Sequence, residues 1–207
     1  MKSLSLVQYN PGTAGEPDTL IEIARHFDTL WGTAVAQVAE NTYLEADAEG
    51  NLVVLQHDVN GYSAEDRRRL RPVSELLLGE MVNRIRPLAI SPTPQALVIP
   101  AAFLATVEGS IYLFGLIAPG KQDFLMRLQA LLAERVKSPG LVGFETFRGF
   151  RNQARDMGEE GPVRFVDGEL IEAFLDAGTE VQEEVCGKLG KGTEEVRGLV
   201  EGLRRMR

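Results

Sequence analysis

The sequence predicts an antiparallel β module followed by a smaller helical module. The change falls within residues 107–136, where the apolar run Ile111–Ile117 is typical of a strand buried on both faces and ends at Pro119-Gly120. After this break, apolar residues recur at the spacing of an amphipathic helix. These residues are Phe124, Leu125, Leu128, Leu131, Leu132 and Val136. Strand and turn patterns precede the break, so we expect the two modules to meet there.

The composition indicates an ordinary globular protein, since 44% of the 207 residues are hydrophobic and 25% are charged. A chain of this length forms one or two domains. The net charge of −8 works against direct phosphate binding, which needs a basic face. The single cysteine, Cys186, excludes an internal disulfide framework. Because no apolar run could span a membrane and the start lacks a signal-peptide core, we expect an intracellular protein with no membrane partner.

The first half of the chain consists of predicted strands and turns. Residues 3–9 predict a strand ending at Asn10-Pro11-Gly12, and its position almost at Met1 suggests that the chain is a fragment. Residues 13–31 form a long excursion with a predicted short helical turn. The apolar residues of that turn are Leu20, Ile21, Ile23, Ala24 and Phe27. Three close-set strands then predict part of a propeller blade or a sandwich sheet, and they span residues 34–39, 43–46 and 52–57.

A capping box and two further strand-like runs complete the β module. Ser63-Ala64-Glu65-Asp66 predicts the start of a polar helical segment that is limited by Pro72. Apolar runs at residues 76–85 and 96–106 predict strands, and Pro92 and Pro94 separate them.

Four helices are predicted after the break. Ser138-Pro139-Gly140 ends the first, and a polar loop is predicted at residues 151–162. Asp167 caps the second, whose inward residues are Leu170, Ile171, Phe174 and Leu175. The third passes through Val181, Val185 and Leu189. The last begins at Thr193 and ends on Arg204, Arg205 and Arg207, a charge order that the helix dipole favours.

The sequence offers little support for catalysis or for a cofactor. His26 and His57 have no nearby ligands at metal-site spacing, so we expect no metal. The segment 187–193 resembles a phosphate-binding loop but lacks the Gly-Lys-Ser/Thr ending, and glycine caps between two helices explain it better. The glutamates Glu180, Glu183 and Glu184 are interpreted as a solvated helix face. We therefore expect a protein that is not an enzyme.

Two features suit binding. The basic run Arg67, Arg68, Arg69 and Arg71 is a possible nucleic-acid contact, although no aromatic residue is interleaved to stack on bases and a solvated helix is favoured. Trp31 is either a core residue or an anchor at a protein interface, where aromatic residues are over-represented. Composition does not decide between these two roles.

Five segments resemble one protein family in order and spacing. They are Glu22-Ile23-Ala24-Arg25-His26-Phe27, Leu78-Gly79-Glu80-Met81-Val82-Asn83, Thr106-Val107-Glu108-Gly109-Ser110-Ile111, Phe147-Arg148-Gly149-Phe150 and the run from Phe165 to Asp176. The family contains the large adaptor subunits of cullin-4 ubiquitin ligases and of UV-damaged-DNA-binding complexes. It also contains large subunits of the cleavage/polyadenylation factor and of the splicing factor 3b complex. The resemblance covers essentially the whole chain and is stronger to the adaptors.

The resemblance implies a fold and a set of partners. Residues 1–119 would form about half of the third β-propeller, and residues 120–207 a small C-terminal helical domain. In the family, a cleft between propellers binds helical motifs of substrate receptors, many of them WD-repeat proteins. The cullin docks on a propeller that is missing here, and DNA is reached indirectly through a partner. The expected location is the nucleus and cytoplasm, and the alternative role is in nucleic-acid binding or RNA processing.

The resemblance also implies which residues face the receptor. Carried over by position, they are Lys2, Arg25, Trp31, Met81, Asn83 and Val107. Lys2 and Met81 replace the family's arginine and phenylalanine. Methionine keeps an adaptable apolar surface, whereas lysine loses the bidentate donor pair of arginine. An aromatic, two aliphatic residues, an amide and two cations suit an amphipathic helix laid in a groove.

Overall fold

The computed structural model describes residues 3–13, 15–28, 30–91, 96–151 and 163–206. Within these ranges, nine strands form antiparallel sheets of two, four and three strands, ordered β1-β2, β3-β4-β5-β6 and β7-β8-β9. The strands are β1 Ser5–Asn10, β2 Thr19–Arg25, β3 Gly32–Ala39, β4 Thr42–Asp47, β5 Asn51–His57, β6 Leu70–Leu77, β7 Val82–Pro87, β8 Val98–Thr106 and β9 Ile111–Ile117. A short helix, α1 Ala64–Arg67, lies between β5 and β6.

The helical part follows the last strand. Its helices are α2 Gln122–Ala133, α3 Phe144–Arg148, α4 Gly168–Asp176, α5 Thr179–Leu189 and α6 Thr193–Arg204, with a single 3-10 turn at Pro139–Leu141. The predicted fold class, a partial antiparallel propeller followed by helices, is confirmed. The division into separate domains at 119/120 stays a prediction. No helix among the described residues is both long enough and apolar enough to cross a membrane.

The three predicted hairpin strands are present as β3, β4 and β5, three consecutive strands of the four-stranded sheet. Tight turns connect them because Asn41 and Gly50 adopt positive φ angles of 53° and 84°. The predicted capping box at Ser63 is also present: its hydroxyl accepts from the Asp66 N–H, and the Asp66 carboxylate accepts from the Ser63 N–H. This box starts α1, and the fourth strand, β6, begins soon afterwards at Leu70.

Three strand predictions need correction. Residues 19–25 form β2, not a helical turn, because they pair with β1 from Asn10↔Thr19 to Ser5↔Arg25. The run at 76–85 contains parts of two strands, β6 and β7, because Gly79 adopts a φ of 89° and turns the chain between them. The strand Ile111–Ile117 is not buried on both faces, since the Ile111 side chain is exposed at the edge of its sheet.

Two apolar clusters form the core of the β module. The first joins the four-stranded and three-stranded sheets and includes Leu44, Val82 and Leu104. The second packs the β1–β2 hairpin against the four-stranded sheet through Ala24 and Leu55, and it includes Phe150 from beyond α3. The helical part therefore contributes a side chain to the interior of the β module.

The helices pack around their own apolar cluster. Phe174 of α4 and Leu128 and Leu132 of α2 are fully buried, and Val185 of α5 and Val196 of α6 complete the centre. The caps are those that the sequence predicts. Asp167 accepts the Glu169 N–H at the start of α4, and Gly190 ends α5 in the left-handed conformation.

A buried polar contact joins the helices to the four-stranded sheet. Arg148 Nε lies 2.7 Å from the Asp167 carboxylate, and its Nη1 donates to the Leu78 carbonyl at 2.8 Å. Both charged side chains are buried. Val163, which precedes α4, pairs with the open edge of β6. It exchanges two backbone hydrogen bonds of 2.9 and 3.1 Å with Glu75. The orientation of the helices relative to the sheet is thus held by specific polar contacts.

Candidate protein-binding surface

Three of the predicted receptor-facing residues meet at one end of the three-stranded sheet. The start of β7 lies beside the end of β8 because Val82 pairs with Thr106. The Val107 N–H therefore reaches the Met81 carbonyl at 2.9 Å. A bulge between Val82 and Arg84 takes Asn83 out of the regular pairing, and its side chain is exposed. Met81 is half-buried, and Val107 is exposed beside it.

Trp31 comes to the same end of the sheets from the strand β3. The Thr33 hydroxyl donates to the Val82 carbonyl at 2.6 Å, which ties the start of β3 to the start of β7. The Trp31 carbonyl accepts the Ala48 N–H at 3.0 Å, so the backbone before β3 is held as well. The Trp31 side chain is 66% exposed. Such exposure is incompatible with a core role and leaves the interface role as the prediction.

Arg25 lies at the end of β2 and is linked to this region through buried neighbours. His26, next in the chain, places Nδ1 3.5 Å from the Glu45 carboxylate. Gly32, which follows Trp31, is so close to Glu45 that an added Cβ would stand 3.0 Å from its Oε1. Arg25 itself remains half-exposed and pairs with Glu22 at 2.6 Å. We call Arg25, Trp31, Met81, Asn83 and Val107 the Trp31 surface; Lys2 lies outside the described residues.

Sequence reasoning did not single out Glu80, which holds this end of the sheet together. Its carboxylate accepts hydrogen bonds from the hydroxyls of Thr106 at 2.7 Å, Tyr112 at 2.8 Å and Ser110 at 3.1 Å. These donors come from the end of β8 and the start of β9. The hydrogen bonds, that of Thr106 first, lower the pKa of the Glu80 carboxyl. Glu80 thereby fixes the turns that carry Met81 and Val107.

We expect Glu80→Gln to lower the free energy of unfolding by about 1 kcal/mol at pH 7, because hydrogen bonds to a charged acceptor are lost. The lowered pKa stabilises the folded state above the carboxyl's unfolded pKa, and this contribution disappears as pH falls through the folded pKa. The difference between wild type and variant should therefore vanish in acid. Urea unfolding at several pH values measures it. Glu108→Gln, the same change at an exposed turn residue, is the control. It should alter neither the free energy of unfolding nor its dependence on pH.

The basic run lies next to Arg25 but is largely occupied by internal contacts. Arg67 donates to the Gly61 carbonyl at 2.8 Å, and Arg71 forms an ion pair with Asp66. The Arg69 guanidinium stands over the ring of Phe27, 5.4 Å from its centroid. Arg68 is exposed, and its carbonyl accepts the Arg25 N–H at 2.9 Å.

The residues next to the basic run in sequence gave no sign that an aromatic side chain, Phe27, lies against Arg69. Phe27 is 56% exposed and reaches Arg69 only because β2 passes beside the start of β6. The run therefore offers Arg68 and Arg69, not four free cations, to a ligand.

The described residues include no group of three histidine, cysteine, aspartate or glutamate side chains that is arranged to hold a metal ion. Cys186 lies on the buried face of α5, and burial raises the pKa of its thiol, which disfavours the nucleophilic thiolate.

Comparison with known proteins places this arrangement in context. The family model described as the CPSF A subunit region matches residues 1–176. DNA damage-binding protein 1 of Schizosaccharomyces pombe is 29% identical over 213 aligned residues, covering all of this chain and 19% of that protein. DNA damage-binding protein 1 of Oryza sativa subsp. japonica is 32% identical over 209, covering all of this chain and 18% of that protein.

DNA damage-binding protein 1a of Arabidopsis thaliana has the same identity, 32% over 209 residues, with all of this chain and 19% of that protein covered. The chain thus spans about a fifth of the length of these curated relatives.

Proposed function

Because this chain belongs to the CPSF A subunit region family, we propose that it is part of a non-enzymatic adaptor in the DNA damage response. Relatives that align with the whole of this chain are named DNA damage-binding protein 1. The adaptor would bind substrate-receptor proteins, among them WD-repeat proteins, for a cullin-4-type ubiquitin ligase. The cullin would be bound by other parts of the longer protein, and DNA through a receptor, in the nucleus and cytoplasm.

The exposed Trp31 is the observation that carries the proposal. Its side chain is 66% exposed, while its carbonyl accepts the Ala48 N–H and the Thr33 hydroxyl, two residues later, donates to the Val82 carbonyl. A rigidly presented aromatic residue costs little side-chain entropy on binding and is the usual anchor of a protein interface. The exposed Val107 and the half-buried Met81 extend the apolar area, and Asn83 and Arg25 supply polar contacts at its edge. An amphipathic helix fits this combination.

The alternative is a nucleic-acid-binding or RNA-processing role within the same family. The exposed Arg68 and the stacked pair Arg69 and Phe27 are the features that favour it. The internal contacts of Arg67 and Arg71 and the net charge of −8 weigh against it. We therefore rank it second.

Capture of partners by the longer protein tests the proposal. We expect Val107→Asp to lose the receptor proteins, because a charge at this position would have to be desolvated without a partner when a helix docks. The cullin should remain in the same capture, since its site lies elsewhere. Quantitative identification of the co-purifying chains measures both. Val59→Asp, at a turn valine of comparable exposure (45% against 55%), is the control and should retain both partners. Equal retention of receptors by the two variants would refute the proposal.

A further inference from the structure

A groove of about 400 Å³ begins at the Trp31 surface and runs between the strands β3 and β7. It is lined by Ala34 and Val35 on one side and by Asn83, Arg84 and Arg86 on the other. Asn83 belongs to both the groove and the Trp31 surface. A ligand bound to the Trp31 surface can therefore extend into the groove and remain in contact with the protein.

The walls of the groove are the edges of two sheets. In the described sheets, β3 pairs only with β4, and β7 pairs only with β8. The two facing edges thus have backbone groups that no neighbouring strand satisfies. Where the groove meets the Trp31 surface, the Thr33 hydroxyl donates to the Val82 carbonyl and holds the starts of the two strands together. An extended polypeptide, which brings its own backbone donors and acceptors, matches such walls.

The charge of the groove comes from two arginines that lie two residues apart on β7. Arg84 and Arg86 are both exposed, and neither makes an ion pair or a hydrogen bond through its side chain with any residue in the described ranges. Three other arginines of the β module are engaged: Arg25 with Glu22, Arg67 with Gly61 and Arg71 with Asp66. Two neighbouring like charges repel each other, and an anion between them relieves that repulsion.

We propose that this groove binds an acidic, extended segment of a receptor protein, adjacent to the helix on the Trp31 surface. The inference rests on the proposed receptor-binding function and adds the chemistry of the segment. Side chains two residues apart on one face of a strand are separated by about 7 Å. Carboxylates at alternate positions of an extended segment therefore match Arg84 and Arg86, and each guanidinium can bind a carboxylate in bidentate geometry.

A short labelled peptide tests the groove on the 207-residue chain itself. The probe is a fluorescein-labelled peptide of alternating glutamate and serine, and the matched probe has glutamine in place of glutamate. Fluorescence anisotropy should show saturable binding of the glutamate peptide, with at least about tenfold weaker binding of the glutamine peptide. Arg84→Ser with Arg86→Ser should weaken binding of the glutamate peptide by about tenfold or more. Arg84→Lys with Arg86→Lys, which keeps the charge and loses the bidentate geometry, should give an intermediate affinity.

The control is the double variant Arg68→Ser with Arg69→Ser, which removes the same charge from the other basic surface and should change affinity by less than about twofold. Equal losses in the two double variants would show non-specific attraction and overturn the inference. So would tighter, Arg84-dependent binding of a single-stranded oligonucleotide, which would indicate a phosphate ligand. If sedimentation shows that the chain dimerises and that the peptide displaces the dimer, the groove binds a second copy of this chain. That result would also overturn the inference.

The receptor-helix titration with Trp31→Ala is a separate readout of the proposed function. If Trp31 matters for the receptor and the acidic peptide does not bind, only the present inference fails. If the peptide binds through Arg84 and Arg86 but Trp31→Ala leaves the receptor affinity unchanged, the proposed function fails instead.

Discussion

Arg148→Ala should lower the free energy of unfolding by about 3–5 kcal/mol, because it leaves the buried Asp167 carboxylate without its cation. Arg148 lies only 7% exposed and donates to Asp167 at 2.7 Å and to the Leu78 carbonyl at 2.8 Å. Since domains of this kind are stable by only about 5–15 kcal/mol, the loss is a large share of the total. Urea unfolding measures it, and amide exchange at Val163 should accelerate as the helices loosen from β6.

Two further variants separate the buried charge from general effects of arginine removal. Arg127→Ala is the matched control: Arg127 is exposed and, within the described ranges, its side chain donates only to the Lys188 carbonyl at 3.0 Å. It should cost no more than about 1 kcal/mol. Arg148→Met combined with Asp167→Asn should recover part of the loss, because no unpaired charge then remains buried and the amide oxygen can still accept the Glu169 N–H at the start of α4. An Arg148→Ala chain as stable as the Arg127→Ala chain would contradict the role assigned to this contact.

Trp31→Ala should weaken receptor binding by about 2 kcal/mol or more, roughly thirtyfold, as expected for an aromatic anchor at the centre of an interface. The fold should survive, because the Trp31 side chain is 66% exposed and its anchoring hydrogen bond at Ala48 comes from the backbone carbonyl. Titration of a receptor helix against the longer protein measures the affinity, and thermal unfolding measures the fold.

Tyr62→Ala is a suitable comparison, since Tyr62 is also an exposed aromatic residue and lies outside both the Trp31 surface and the groove. Its effect on receptor affinity should be small. If Trp31→Ala unfolded the chain while the affinity of the remaining folded molecules stayed the same, Trp31 would be a structural residue and not an anchor.

Local signals in the sequence were sufficient to predict many of the element boundaries. The cap at Ser63, the cap at Asp167 and the left-handed Gly190 all rest on contacts within a few residues, which a single sequence contains. The same is true of the three hairpin strands, whose turns depend on Asn41 and Gly50.

The errors come from interactions between distant segments. The strand β2 was predicted as a helical turn because its identity depends on pairing with β1, where Ser5 meets Arg25. The spacing of Leu20, Ile21 and Ile23 is compatible with either structure over so short a segment. A strand of this kind is recognised only when its partner is known.

The candidate site was only partly accessible to sequence reasoning for the same reason. Arg148 meets Leu78 across 70 residues, and Phe27 lies under Arg69 only in the folded chain. Glu80 lay inside a segment that resembles the family, but its three hydroxyl partners become neighbours only when β7, β8 and β9 pair. Likewise, composition could not decide whether Trp31 is buried.

Salt dependence of binding tests most directly the claim that this surface binds a protein and not a nucleic acid. The affinities of the longer protein for a receptor helix and for duplex DNA are measured at two salt concentrations. A receptor anchored by Trp31 should bind with a modest salt effect, because charges at the edge of the surface, such as Arg25, act mainly on the association rate. Preferred binding of DNA would contradict the account, with log affinity falling by about 0.9 per log unit of salt for each phosphate contacted.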